Sequence, residues 1–109
     1  PPPPTAAEAW FREAASAAGL DFRHVSGHAG PFWLPEVIGG GVCLLDADGD
    51  GDLDVYLVQS GSLHEPETGE TPSRLFLNDG TGHFADRTAE AGVGATGYGI
   101  GCTTGDYDA

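Results

Sequence analysis

A short acidic segment near the middle of the chain has the residue types and spacing of a metal-binding loop. Its sequence is Asp46-Ala47-Asp48-Gly49-Asp50-Gly51-Asp52-Leu53-Asp54. Carboxylates stand at the first, third, fifth and ninth positions, and Asp52 at the seventh can offer its backbone carbonyl. Calcium takes six to eight oxygen ligands in a flexible shell, and alternate residues of a tightly curled loop converge on one point. We therefore predict a Ca²⁺ site formed by Asp46, Asp48, Asp50, Asp52 and Asp54.

Two other interpretations of this loop fit less well. An EF-hand requires a bidentate Glu at its twelfth position, where this chain has Leu57, and it requires helices where this loop is flanked by strand-like runs. Magnesium demands a strict octahedron and takes few protein ligands. The remaining alternative is an acidic turn that binds no metal. It is disfavoured because closely spaced carboxylates repel one another without a cation.

The charge of the whole chain is strongly negative. Seventeen Asp and Glu face four Arg, which gives a formal net charge of -13. Such a surface repels nucleic acid and anionic lipid, and it attracts divalent cations. No stretch approaches the roughly 20 apolar residues of a membrane helix. The negative charge and the lack of a long apolar stretch lead us to expect no nucleic-acid partner and no membrane insertion. No Ser-His-Asp or Cys-His arrangement has the spacing of a catalytic site, so we expect that the chain is not an enzyme.

The segments around the acidic loop indicate an all-β fold. Short apolar runs predict strands at 42–45 and 55–58, the first of them buried on both faces. Residues 74–78 alternate like a half-buried strand, and the glycine-rich turn 79–82 leads to a partner strand at 83–86. Four strands in meander order form one antiparallel sheet, and a short helical turn follows the last of them.

Two internal repeats extend this unit in both directions. Residues 11–20 match residues 84–93, so a strand is expected at Trp10–Glu13 although the Ala-rich composition of residues 5–18 favours a helix. Residues 41–48 match residues 101–108, which places a second, unfinished acidic loop at Asp106 and Asp108. A spacing of about 60–70 residues is of the kind that signals propellers or arrays.

Three segments together resemble a known repeat. Residues 39–58 (GGGVCLLDADGDGDLDVYLV), residues 74–88 (RLFLNDGTGHFADRT) and residues 97–108 (GYGIGCTTGDYD) are similar to an FG-GAP/VCBS repeat, the calcium-loop blade of integrin-like β-propellers. The nearest group is the one whose proteins often carry an ASPIC/UnbV segment. The resemblance implies a four-stranded β-propeller blade with Ca²⁺ ligands at Asp46 to Asp54. It also implies a secreted or cell-surface adhesion or structural module that is not an enzyme.

The resemblance divides the chain into four parts. Residues 1–9 are a proline-rich linker or disordered stub, and residues 10–40 are the outer strand of a preceding unit plus an aromatic-rich loop. Residues 41–93 are the calcium-binding blade, and residues 94–109 are the incomplete start of the next blade. The aromatic-rich residues 20–38 are either a binding loop or packing over the open end of the sheet.

The predicted sheet has incomplete units on both sides, which leaves strand edges exposed. Exposed strand edges can pair with a protein partner, or with other copies of the chain in a head-to-tail filament. The alternative is that the chain is part of a longer propeller, and a fragment of a propeller enzyme or ligand-binding protein is the rival function. Cys43 and Cys102 either form a disulfide, as in an oxidising compartment, or are two small buried hydrophobic residues.

Overall fold

The computed structural model describes residues 10–64 and 71–108. The described elements in chain order are α1 (Leu34–Ile38), β1 (Val42–Leu45), β2 (Asp54–Leu57), β3 (Arg74–Asn78), β4 (Phe84–Asp86) and α2 (Thr88–Ala91). The predicted proline-rich stub at residues 1–9 lies outside the described residues. Within the described ranges, no helix has the length and apolar character needed to cross a membrane.

The four strands form one antiparallel sheet in the order β1-β2-β3-β4. The hairpin of β1 and β2 closes on the acidic loop, where Leu45 pairs with Asp54. The hairpin of β3 and β4 closes where Asn78 pairs with Phe84. The prediction of an all-β, four-stranded antiparallel blade followed by a short helical turn is confirmed, with strand ends within one residue of those expected.

The core of the sheet is small and centred on β3. Leu75 and Phe76 are adjacent and both buried, so both faces of β3 are covered, because successive residues of a strand point to opposite faces. β1 differs, since Val42 is 61% exposed and Leu44 is 55% exposed. The prediction that β1 is buried on both faces is therefore wrong. β1 is the last strand at its end of the sheet, and only the face that carries Cys43 is covered.

Both edges of the sheet are in contact with other parts of the chain. At the β4 edge, the Phe84 amide donates to the Ala18 carbonyl (2.7 Å), and Gly19 lies so close that a Cβ there would collide with the Phe84 carbonyl oxygen. Near β1, Cys43 forms a disulfide with Cys102. Of the two alternatives, the structure shows the disulfide: Cys43 and Cys102 are bonded to each other and are not two separate buried residues.

The first internal repeat is visible in the backbone hydrogen bonds. Ala18 N–H donates to the Ala14 carbonyl, and the equivalent bond joins Ala91 to Arg87. The two bonds that follow in each copy also match, and they are the pair that ends a helical turn in a Schellman motif. The repeated glycines of this motif have φ of +85° at Gly19 and +68° at Gly92, in the left-handed region that favours glycine.

The strands expected beyond the blade are not formed. Residues 10–13 contain no strand, and Trp10 and Phe11 are exposed because no neighbouring strand covers them in the described chain. The helix suggested by composition is also missing from residues 10–14, and residues 15–19 form only a turn. Residues 94–108 likewise contain no strand. A propeller strand needs the rest of its own sheet to pair with, and the described ranges contain one sheet.

Candidate metal site

Three aspartates of the acidic loop come together at the tip of the β1–β2 hairpin. Asp46, Asp48 and Asp50 are exposed, and each offers a carboxylate oxygen within 4.8 Å of those of the other two. The loop starts directly after β1 and ends where β2 begins. The alternating spacing therefore gathers the first, third and fifth loop positions, as the sequence predicts.

The loop is held in shape by its own carboxylates. The carboxylate of Asp46 accepts hydrogen bonds from the backbone amides of Gly49 (2.8 Å), Asp50 (3.1 Å) and Gly51 (3.0 Å). The next two aspartates each accept one from the amide two residues further on. Gly49 and Gly51 have φ of +77° and +92°, a conformation that a residue with a Cβ adopts only with strain.

Asp54 has a structural role that the sequence did not reveal. Its side chain is fully buried, and its two carboxylate oxygens accept hydrogen bonds from the Ala47 amide (2.7 Å) and the Asn78 amide (2.8 Å). Asp54 therefore joins the start of the acidic loop to the end of β3. The only signal in the sequence is that the last aspartate of the loop is followed at once by an apolar strand.

Asp52 is oriented differently from the clustered aspartates. Its Oδ2 would be 2.7 Å from a Cβ placed on Gly80, in the turn between β3 and β4. That turn is held by Asn78, whose Oδ1 accepts hydrogen bonds from the backbone amides of Gly80 and Gly82, at 3.1 Å each. The side chain of Asp52 thus contacts the neighbouring turn. The expected contribution of its backbone carbonyl to a metal site stays a prediction.

The electrostatics of the cluster favour a bound cation. Loss of hydration raises the pKa of Asp48, and the nearby charges of Asp50 and Asp54 raise it further, although the Asp50 amide lowers it by donating a hydrogen bond. A carboxylate with a raised pKa is one whose charged form is disfavoured by its surroundings. A cation bound among these carboxylates would offset the repulsion between their charges. Several flexible carboxylates with no nitrogen or sulfur among them are the donor set that suits Ca²⁺.

The second acidic pair lies near the first loop but is not part of the cluster. Asp106 and Asp108 are exposed, and together with Asp46 they line one open groove. Among the described residues, the three clustered aspartates form the one group of His, Cys, Asp or Glu that brings three donors within 4.8 Å. Metal binding by Asp106 and Asp108 therefore stays a prediction.

Comparison with known proteins identifies the family. The sequence model described as an FG-GAP-like repeat matches residues 46–109, which include the acidic loop, β2, β3, β4 and the second acidic pair. No curated protein and no solved structure matches the chain. The match covers more than half of the 109 residues, and the described sheet is a four-stranded antiparallel blade. This chain belongs to the FG-GAP-like repeat family.

Proposed function

We propose that this chain is a calcium-binding structural or adhesion module in which Ca²⁺ stabilises a β-propeller-type blade. The observation that carries the proposal is the convergence of three carboxylates within 4.8 Å at the tip of the β1–β2 hairpin. Asp46, Asp48 and Asp50 would hold the ion with their carboxylates. The family match supports the same function, because calcium loops are typical of such repeats.

Stabilisation by calcium follows from how the loop is connected. Asp54 closes the loop and bonds to β3, so an ion that orders the loop also favours the conformation in which β2 and β3 are correctly placed. A ligand that binds only the folded state stabilises it by mass action. Calcium would also offset part of the self-repulsion of a chain with a formal net charge of -13.

Calorimetric titration of Ca²⁺ tests the proposal directly. We expect the double variant Asp48→Asn/Asp50→Asn to bind Ca²⁺ at least about tenfold more weakly than the wild type, because two of the three clustered carboxylates lose their charge. The matched variant Asp106→Asn/Asp108→Asn removes the same charge from the second pair and should leave the binding of the first ion unchanged. Equal affinity of the wild type and the first variant would refute the assignment.

The cellular setting is part of the same proposal. The Cys43–Cys102 disulfide supports a secreted or cell-surface location, since disulfides persist in oxidising compartments. The exposed Val42 and Leu44 of β1 support contact with a protein partner or a second copy of the chain. Native mass spectrometry separates these possibilities: assemblies of an 11.2 kDa chain support self-association, and a monomer at micromolar concentration argues against it. An ASPIC/UnbV context stays a prediction.

A further inference from the structure

A second cluster of metal-binding residue types lies outside the acidic loop. It is formed by His28, by Glu36 of α1, and by His64 in the segment that follows β2. His28 Nδ1 is 3.4 Å from Glu36 Oε2, and His64 Nε2 is 3.7 Å from Glu36 Oε1. His28 lies eight residues before Glu36, and the distant segment that follows β2 brings His64 to the same carboxylate.

The carboxylate at the centre of this cluster is buried and incompletely satisfied. The Glu36 side chain is 1% exposed. Its Oε2 accepts a hydrogen bond from the Trp33 amide (3.1 Å), whereas its Oε1 is buried without a hydrogen-bond partner. Burying a carboxylate oxygen without a partner is costly, and such groups are rare in folded proteins. An oxygen of this kind beside an imidazole nitrogen is suited to hold a cation.

Two aromatic side chains hold the two imidazoles in place. The ring of His28 stacks on the ring of Phe32 with centroids 3.9 Å apart. The centroid of the His64 ring lies 4.4 Å from that of Trp33. These ring contacts keep both imidazoles beside Glu36.

We propose that His28, Glu36 and His64 bind a transition-metal ion of the zinc class. Two imidazole nitrogens and one carboxylate form a known catalytic-type zinc donor set, with a fourth position left for water. Zinc–nitrogen bonds of about 2.0–2.1 Å place neighbouring tetrahedral ligands about 3.3 Å apart. Each imidazole nitrogen is already near that distance from one Glu36 oxygen, at 3.4 Å for His28 and 3.7 Å for His64, but the two rings face different oxygens. Calcium prefers oxygen ligands, so this site is chemically distinct from the acidic loop.

Metal binding requires the side chains of this cluster to turn toward one ion, because the three donors are not all within 4.8 Å of one another. The two imidazoles face different oxygens of Glu36, and the three donors are less closely gathered than those of the acidic loop. Both histidine side chains are about one third exposed (33% and 30%), which leaves them room to turn toward one ion. The ion would then connect α1 to the segment that follows β2.

The test is a Zn²⁺ titration of the calcium-saturated protein, with Co²⁺ as a spectroscopic probe of the coordination geometry. We expect one Zn²⁺ per chain, a tetrahedral Co²⁺ absorption spectrum, and at least about tenfold weaker binding in His64→Gln and Glu36→Gln. His83→Gln is the matched control, because His83 lies in the turn before β4, and it should bind as the wild type does. Circular dichroism confirms that each variant is folded, and His64→Gln alone suffices as the test if Glu36→Gln unfolds, because the His64 side chain is about one third exposed.

The result is independent of the calcium site. Asp48→Asn/Asp50→Asn should lose calcium affinity and keep zinc affinity, so the two proposals fail separately. The zinc proposal is overturned if the wild type binds no Zn²⁺ at micromolar concentration, if His83→Gln weakens binding as much as His64→Gln, or if excess Ca²⁺ displaces the ion.

Discussion

Replacing Asp54 by Asn should strongly destabilise the blade even when no metal is present. The fully buried Asp54 carboxylate accepts two hydrogen bonds, one from the backbone amide of Ala47 and one from that of Asn78. Asparagine keeps one acceptor oxygen and turns an NH₂ group toward the other amide. The loss is one hydrogen bond to a charged group, about 1.5–3 kcal/mol, and one unpaired buried donor adds about 1–3 kcal/mol. We therefore expect Asp54→Asn to lower the free energy of unfolding by about 3–5 kcal/mol.

The assay is thermal and urea unfolding in the presence of a chelator, so that any metal contribution is removed. At about 4 °C per kcal/mol for a chain of this size, the melting temperature should fall by about 12–20 °C. Asp21→Asn is the matched control, because Asp21 is exposed, and it should change stability by less than about 0.5 kcal/mol. A loss below about 1 kcal/mol for Asp54→Asn would refute the structural role assigned to this side chain.

Three further predictions concern the disulfide, acid stability and the sheet edge. Replacing Cys43 and Cys102 by Ser should cost about 4 kcal/mol of unfolding free energy in urea denaturation, since the disulfide closes a loop with a sequence separation of 59; an unchanged urea midpoint would contradict this. Burial raises the pKa of Asp86, but hydrogen bonds from Thr88 and the ion pair with Arg74 outweigh burial, so the pKa is lowered overall. The stability that Asp86 contributes is therefore complete above about pH 4 and is lost as the pH falls through the lowered pKa of the folded state. Unfolding midpoints measured from pH 2 to 6 should therefore depend less on pH in Asp86→Asn than in the wild type, and parallel curves for the two proteins would contradict this prediction. Gly19→Ala should lower the melting temperature more than Gly82→Ala, because both glycines have positive φ but only a Cβ at Gly19 collides with the neighbouring strand; equal losses would show that the close contact is unimportant.

The strands and the clustered aspartates were predictable because local sequence determines them. Apolar runs of β-branched and aliphatic residues form β1 and β2, and the turn from Asp79 to Gly82 fixes the second hairpin. The Asp46, Asp48 and Asp50 carboxylates converge because alternate residues of a short loop face the same point. The matching helical turns at residues 14–20 and 87–93 were also readable, since each repeats the Ala-Gly-aliphatic ending of a Schellman motif.

The remaining features depend on long-range packing. Neither the burial of Glu36 nor its approach to His64 has a local signature, because His64 comes from a segment far from Glu36 in sequence. The helix α1 was missed inside an aromatic-rich stretch, although Pro35 near its start is a known helix signal. Exposure of β1 was likewise missed, since an apolar run shows that a strand can be buried and does not show what covers it.

The central claim is that calcium at the acidic loop stabilises the folded blade, and calorimetric melting with and without calcium tests it most directly. At a free Ca²⁺ concentration of about one hundred times the dissociation constant, the ion should add about 2.7 kcal/mol, a rise of about 10 °C over the chelated protein. The rise should disappear in Asp48→Asn/Asp50→Asn. A wild-type protein that melts at the same temperature in Ca²⁺ and in chelator would contradict the account.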